Sequence, residues 1–121
     1  MQKPQKLDPN GPTGTLDSIS VVDPATVIDG RAVETGASYM GAKTDALLVG
    51  VWDSTPYAEV FSGEGYPADE FCQVLSGSVT LTCKDGTSQT FSAGDTYIVN
   101  KGWCGEFRVN EQFRKYYVMA A

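Results

Sequence analysis

The chain has 121 residues, of which 41% are apolar and 20% charged, a composition that suits one globular domain and excludes a disordered chain. Nine basic against fifteen acidic residues give a net charge of -6 without a Lys/Arg cluster, which argues against nucleic acid or an anionic membrane surface as a partner. No histidine is present, so histidine acid/base chemistry and every imidazole-based metal site are excluded.

The first thirty residues are predicted to form an irregular arm. Prolines, glycines and the turn pairs Asp8-Pro9 and Asn10-Gly11 interrupt any regular pattern there. One short strand is predicted at residues 19–22. The start of the chain has no apolar stretch of signal-peptide or membrane-span length. Three cysteines, Cys72, Cys83 and Cys104, lack Cys-x-x-Cys spacing. We therefore expect reduced thiols and a cytoplasmic protein.

Residues 31–121 are predicted to form a single all-β domain. Residues 46–52 are a compact apolar run of strand length. Further short strands, separated by Gly- and Asp-containing turns, are predicted near 57–61, 69–76, 78–83, 87–92, 95–100, 104–110 and 113–119. Short strands with such turns are typical of a sandwich or barrel. We find no helical stripe and no internal repeat, which predicts one barrel.

Two glycine spacings narrow the choice among all-β folds. Glu70 precedes Gly77 by seven positions at the end of a predicted strand, and Gly94 is followed by Gly102 at a second turn. This arrangement resembles the two signature motifs of cupins. The resemblance implies an RmlC-like double-stranded β-helix, that is, a jelly-roll barrel, with the irregular arm at its N-terminus.

The same motifs depart from the cupin pattern at the metal ligands. The second motif has Asn100 where cupins carry proline and Gly105 where they carry histidine. The His-x-His pair of the first motif falls near Glu64 and Tyr66, so only the glutamate ligand persists, as Glu70. We therefore expect no cofactor and no standard metal centre. The alternative is a divalent ion held by the carboxylates of Glu64 and Glu70.

A closer resemblance covers about residues 45–119. The segments 51–56, 69–77, 94–95 and 114–117 are similar to those of ureidoglycine aminohydrolase cupins and ethanolamine-utilisation cupins, with Phe107 where tryptophan is expected. The resemblance implies chemistry on an amine or ureide. Many members of this group have no assigned function.

Strand alternation selects the candidate site. If Glu70 points into the barrel, so does Cys72, while Phe71 and Leu75 point outward. The resemblance favours Lys115 and its neighbour on the same face as the inward residues of the last strand. The predicted catalytic residues are Glu70, Lys115 and Tyr66. The predicted ligand-binding residues are Trp52, Tyr57, Glu64, Cys72, Phe107 and Tyr117.

Three functions remain open at this point. The first is an enzyme acting on a small polar metabolite, with Glu70 as a general acid/base paired with Lys115. The second is a non-catalytic module that binds a small molecule. The third is a structural protein with a closed barrel. The outward Phe71 and Leu75 predict a homodimer in each case, because an apolar outer face is best covered by a partner subunit.

Overall fold

Two antiparallel sheets pack face to face in the computed structural model, which describes residues 3–42 and 45–121. The described elements are β1 (Asp17–Ile19), a 3-10 helix (Pro24–Thr26), β2 (Val27–Gly30), β3 (Glu34–Met40), β4 (Leu47–Ser54), β5 (Tyr57–Phe61), β6 (Asp69–Ser76), β7 (Ser78–Cys83), β8 (Ser88–Ser92), β9 (Thr96–Val99), β10 (Gly105–Val109) and β11 (Phe113–Ala120). Sheet A has the order β1-β3-β4-β11-β6-β9, and sheet B has the order β2-β5-β10-β7-β8. The predicted all-β jelly roll is confirmed. The described residues contain no helix long and apolar enough to cross a membrane.

The strands predicted from residue 46 onward are confirmed to within two residues at each end. Strand β3 was missed, because its inward positions include Glu34 and Gly36 rather than a run of apolar residues. It is a central strand nonetheless, since the backbone of β4 pairs along it from Ser54 to Val49. Backbone hydrogen bonding thus forms a strand here without an apolar pattern.

The predicted irregular arm requires a correction. Residues 1–30 supply an edge strand to each sheet, because β1 pairs with β3 in sheet A and β2 pairs with β5 in sheet B. The first of these strands is Asp17–Ile19 rather than residues 19–22. Both strands are short and largely exposed, so neither shows the alternation by which strands are recognised in a sequence.

Side chains alternate along β6 as predicted. Glu70, Cys72 and Val74 are buried between the sheets, whereas Phe71 is 47% exposed on the outer face. The same alternation buries Gly105, Phe107 and Val109 on β10. The interior is therefore lined by one face of each sheet, and aromatic rings fill much of it.

Residues 7–11, which we call the strap, lie across the outer face of sheet A. Tyr116 and Tyr39 donate hydroxyl hydrogen bonds to the carbonyl oxygens of Leu7 and Asp8. Arg114 donates to the Pro9 carbonyl at 2.9 Å and to Asn10 Oδ1 at 2.8 Å. The strap thus covers the part of this face that lies over β3, β4 and β11.

The glycine of the first motif has a clear structural reason. Gly77 joins β6 to β7 with a φ of +78°, a conformation that side chains rarely adopt. A Cβ at this position would also strike the backbone of Gln112 and Phe113. The turn that places Glu70 at the far end of β6 therefore requires glycine.

Candidate functional site

The carboxylate of Glu70 is the centre of a buried polar cluster. It accepts hydrogen bonds from the Tyr66 hydroxyl at 3.0 Å, the Cys72 thiol at 2.9 Å and the Lys115 ammonium at 2.7 Å. All three bonds reach the same oxygen, Oε1. Glu70 is only 4% exposed. The sequence-predicted residues Glu70, Lys115 and Tyr66 are thus brought together.

Lys115 enters the cluster from the neighbouring strand. Its position on β11 lies opposite Trp52 on β4 and Val74 on β6, so its side chain shares the inward face of sheet A. The ammonium nitrogen is 5.2 Å from the centroid of the Trp52 ring and 5.7 Å from that of Phe107. Two aromatic faces and one carboxylate therefore offset the cost of burying this cation.

The pair is ionised at neutral pH. Burial opposes the charge of Glu70. The ammonium of Lys115 and the hydrogen bonds that the Glu70 carboxylate accepts outweigh this effect, so the pKa of Glu70 is lowered overall. Burial likewise opposes the charge of Lys115. The negative charges that Cys72 and Glu70 carry in their ionised forms nevertheless raise the pKa of Lys115. Burial raises the pKa of Cys72 to about 12, so its thiol keeps its proton and donates to Glu70.

Tyr97 adds an unpaired hydroxyl to this cluster. Its ring is 6% exposed and stacks on Phe91 with 4.5 Å between centroids. Within the described residues its hydroxyl has no hydrogen-bond partner of acceptable geometry. Burial raises the pKa of Tyr97, the ammonium of Lys115 partly offsets that rise, and Cys72 and Glu70 add to it. The thiol of Cys72, a weak hydrogen-bonding group, is the polar side chain beside the Tyr97 hydroxyl. Sequence reasoning missed Tyr97, although alternation with Val99 on the predicted strand would have pointed it inward.

The remaining predicted residues divide into two groups. Trp52, Tyr57 and Phe107 are buried in the interior, and the half-buried Tyr117 packs against them from the inward face of β11. Burial raises the pKa of Tyr117, and the negative charge of Glu70 raises it to a smaller extent. Glu64, in contrast, is exposed in the turn that follows β5 and does not join the buried cluster.

The cluster lies beneath two loops joined by backbone hydrogen bonds. The Tyr66 amide donates to the Trp103 carbonyl at 2.8 Å, and the Gly102 amide donates to the Tyr66 carbonyl at 2.8 Å. The rings of Phe61, Tyr66 and Trp103 pack together at this end of the barrel. A molecule entering from this side must part the two loops.

The residues present do not fit the metal centre of the resembled fold. A Cβ at Gly105 would meet the Trp103 ring at 2.6 Å and would strike the Thr82 carbonyl, so the space of the missing histidine is filled. The ammonium of Lys115 holds the one persisting ligand, Glu70, and would repel a second cation. Within residues 3–42 and 45–121, no three His, Cys, Asp or Glu side chains converge as a metal site.

Two further buried carboxylates lie towards β2 and β3. Glu34 accepts hydrogen bonds from the Trp52 indole at 2.9 Å and from the amides of Val21 and Val22. A cavity of about 450 Å³ opens beside it, lined by Ser20, Val22, Pro24, Val27, Gly30, Arg31, Ala32 and Glu34. The hydrogen bonds tie the chain after β1 to the sandwich.

Glu59 is the other of these carboxylates. It accepts hydrogen bonds from the Tyr57 hydroxyl at 2.9 Å and the Thr26 hydroxyl at 3.0 Å. Burial raises its pKa despite these bonds, and Glu34 raises it further. Sequence reasoning missed Glu59, which the alternation Tyr57-Ala58-Glu59 would have placed on the inward face. Glu34 offered no such signal, because its strand was not predicted.

The two-sheet jelly roll, with a glutamate at the ligand position of its first motif, defines a cupin barrel that lacks histidine ligands. The chain belongs to the family of EutQ-like cupin domains, which matches residues 42–117. A search of curated proteins gives no significant match.

Solved structures support the same fold. A protein of unknown function of the DUF861 family from Pseudomonas syringae pv. tomato is 28% identical, with a TM-score of 0.73 over 87% of this chain and 44% of its own. The EutQ protein of Clostridium difficile is 20% identical, with a TM-score of 0.60 over 74% of this chain and 63% of its own. The cupin domain of Schizosaccharomyces pombe Cnp3 is 19% identical, with a TM-score of 0.55 over 73% of this chain and 51% of its own. The chain thus spans less than two thirds of each of these three proteins.

Proposed function

We propose that this cupin binds a small neutral molecule inside its barrel without a metal ion, at Glu70, Lys115 and Tyr97. The observation that carries the proposal is the buried, unpaired hydroxyl of Tyr97. Leaving a buried hydroxyl without a partner costs about 1–3 kcal/mol, and a polar atom of a ligand would remove that cost.

The charges of the cluster favour an amide or a ureide as the ligand. The ion pair of Lys115 and Glu70 is already neutral as a unit, so a charged ligand would meet a like charge in one of them. A carbonyl oxygen would accept from Tyr97. An N–H group would donate to Glu70 Oε2, since the described hydrogen bonds all reach Oε1. Ligands of this class carry both groups.

The pKa values in the cluster favour binding over acid/base catalysis. A general acid or base works best when its pKa lies near the working pH. Here the pKa of Glu70 is lowered, and those of Lys115, Cys72 and Tyr66 are raised, so all four move away from neutrality. The non-catalytic alternative is therefore the better supported of the two small-molecule functions.

The free thiols Cys72, Cys83 and Cys104 support a reducing compartment such as the cytoplasm.

The test is a binding series with matched ligands and a single-atom variant. Acetamide and N-methylurea represent neutral amides and ureides, while ethanolamine and acetate represent the charged alternatives. We expect an amide or ureide to raise the melting temperature of the wild type, and Tyr97→Phe to weaken its binding about tenfold through loss of one hydrogen bond. Thr90→Ala on the outer face of β8 is the control and should bind as the wild type does.

Two results would contradict the proposal. One is a Tyr97→Phe variant that is more stable than the wild type while no probe stabilises either protein, because the hydroxyl would then be only a poorly satisfied core group. The other is equal binding of the probe by both proteins. A product found after prolonged incubation with a bound probe would favour the enzyme instead.

A further inference from the structure

The cavity beside the segment that links β1, β2 and β3 has the features of a second ligand site. Its volume of about 450 Å³ falls within the range of about 300–1,000 Å³ that is typical of small-molecule sites. The half-buried side chains of Val22, Val27 and Ala32 form an apolar wall that packs against the core. Two charged residues, Arg31 and Glu34, line the same cavity. One ligand could therefore make apolar and ionic contacts together.

Glu34 supplies the negative charge of this cavity and is only 5% exposed. Its carboxylate accepts hydrogen bonds from the Trp52 indole and from the amides of Val21 and Val22, all of which are neutral donors. Among residues 3–42 and 45–121, no cationic side chain pairs with it. A carboxylate offers about four acceptor positions, so three donors leave about one position free. An ammonium group would fill that position and compensate the buried charge.

A second buried carboxylate lies near that of Glu34. Burial raises the pKa of Glu59, hydrogen bonds to its carboxylate offset part of the rise, and the negative charge of Glu34 adds to it. The rings of Trp52 and Tyr57, which donate to Glu34 and Glu59 respectively, pack edge to face with 6.4 Å between their centroids. This part of the interior therefore favours a cation.

Arg31 supplies the positive charge of the cavity. Its backbone carbonyl accepts from the Thr55 hydroxyl at 2.6 Å, which holds the main chain in place. Its guanidinium is paired with no acidic side chain in the part of the chain that the structure describes. Arg31 and Glu34 are three positions apart, so their Cα atoms lie at most about 11 Å apart. The two charges are therefore close enough to contact two ends of one small molecule.

These two charges select the class of ligand. An anion would be attracted by Arg31 but repelled by Glu34, and a cation would meet the reverse. A zwitterion presents the opposite charge to each of them. An α-amino acid carries an ammonium and a carboxylate on one carbon atom, and an apolar side chain on that carbon would lie against the apolar wall of the cavity.

We propose that this cavity is a second ligand site, which binds a zwitterionic α-amino acid with a small apolar side chain. The ammonium of the ligand donates to Glu34, its carboxylate pairs with Arg31, and its side chain packs against Val22 and Val27. No residue of the cluster around Glu70 lines this cavity. The site is therefore independent of the one proposed above for a neutral ligand.

Isothermal titration calorimetry of the full chain with L-valine tests the site. Two analogues each lack one charge: N-acetyl-L-valine has no ammonium, and L-valinamide has no carboxylate. All three are titrated to about 10 mM, because a small polar ligand binds weakly. N-acetyl-L-valine should bind at least about tenfold more weakly than L-valine, since it loses a buried charge-assisted hydrogen bond. L-valinamide should bind about fivefold more weakly, because the exposed Arg31 contributes less.

Arg31→Gln is the diagnostic variant, because Glu34 also holds the chain after β1 and its replacement would disturb the fold. This variant should bind L-valine about fivefold more weakly than the wild type and should no longer distinguish L-valine from L-valinamide. Lys84→Gln removes the same charge from the exposed turn between β7 and β8 and should bind L-valine as the wild type does. Tyr97→Phe should do so as well, since Tyr97 lies outside this cavity.

Three results would overturn this proposal. One is a wild type for which L-valine gives neither a binding heat nor a rise in melting temperature. Another is equal binding of L-valine and its two analogues, because the charges of the cavity would then select nothing. The last is L-valine binding that is lost in Tyr97→Phe and retained in Arg31→Gln, which would place the amino acid in the cluster around Glu70.

Discussion

At the scale of single residues, the ion pair of Glu70 and Lys115 is the feature on which the site depends. Each side chain is almost fully buried, and their charged atoms are 2.7 Å apart. A buried pair of this kind contributes little net stability relative to apolar residues of the same size, but removing one partner leaves an uncompensated charge. Any other group in the interior must therefore leave both charges of the pair compensated.

A double-mutant cycle measures this dependence. Lys115→Met leaves the Glu70 carboxylate without its cation and should lower the free energy of unfolding by about 3–5 kcal/mol, as for other broken buried pairs. Glu70→Gln should also destabilise the fold, because it leaves the ammonium unpaired. The double variant should be more stable than Lys115→Met alone, since no buried charge remains. Urea unfolding at pH 7 gives all four values, and additive losses would contradict a coupled pair.

The same pair predicts a pH dependence with a definite sign. The pKa of Glu70 is lower in the folded chain than the value of about 4.3 that an unfolded glutamate has. Its contribution to stability is therefore present above that unfolded value and is lost as the pH falls through the folded pKa. Urea unfolding of wild type and Glu70→Gln between neutral and acidic pH separates this contribution from those of other carboxylates. Parallel curves for the two proteins would contradict the assignment.

At the scale of elements, the sandwich is closed by short segments that precede its central strands. β1 and β2 complete the two sheets, and Glu34 on β3 holds the backbone after β1. The strap performs a similar task on the outer face, where Arg114 bonds to both Asp53 and the strap. These contacts join residues that are far apart in the chain.

Limited proteolysis tests the hold of Arg114 on the strap. Arg114→Ala removes its charge-assisted hydrogen bonds to residues 9 and 10, and each such bond contributes about 1.5–3 kcal/mol. Trypsin should therefore cleave after Lys6 at least about tenfold faster in this variant, because local opening exposes the site more often. Arg108→Ala removes an arginine that pairs with Asp29 on sheet B and is the control. Equal cleavage rates in the two variants would show that Arg114 does not hold the strap.

At the scale of the whole molecule, the interior of the barrel supplies its own cation. Lys115 provides the positive charge beside Glu70, and Trp103 fills the space next to Gly105. Stability should then rest on packing and on this internal pair, with no contribution from a bound ion.

This predicts a protein whose stability is independent of divalent metals. Protein purified without chelator or affinity metal should melt at the same temperature with EDTA, with Mn²⁺ and with Zn²⁺, and elemental analysis should find no stoichiometric metal. Glu70→Gln serves as the matched control, since it removes the one persisting ligand. A stoichiometric ion in the wild type that is absent from Glu70→Gln would mean that carboxylates hold a metal after all.

The sequence by itself determined the fold class, most strand positions and the inward direction of Glu70, Cys72 and Phe107. These follow from local signals, namely turn glycines and the two-residue alternation of strands. Comparison with a known family then selected Lys115 as the partner of Glu70. The spacing of Glu70 and Gly77 also indicates the cupin motif.

Only the tertiary structure decided which distant residues meet. Pairing between strands that are separated in the chain creates the edge strands β1 and β2 and the buried positions of Glu34 and Glu59. It also places the unpaired hydroxyl of Tyr97 in the interior. Local patterns carry no information about such pairing, because a short polar strand is stabilised by its neighbour's backbone rather than by its own side chains. The physical reason is the long-range hydrogen bonding that defines a β-sandwich.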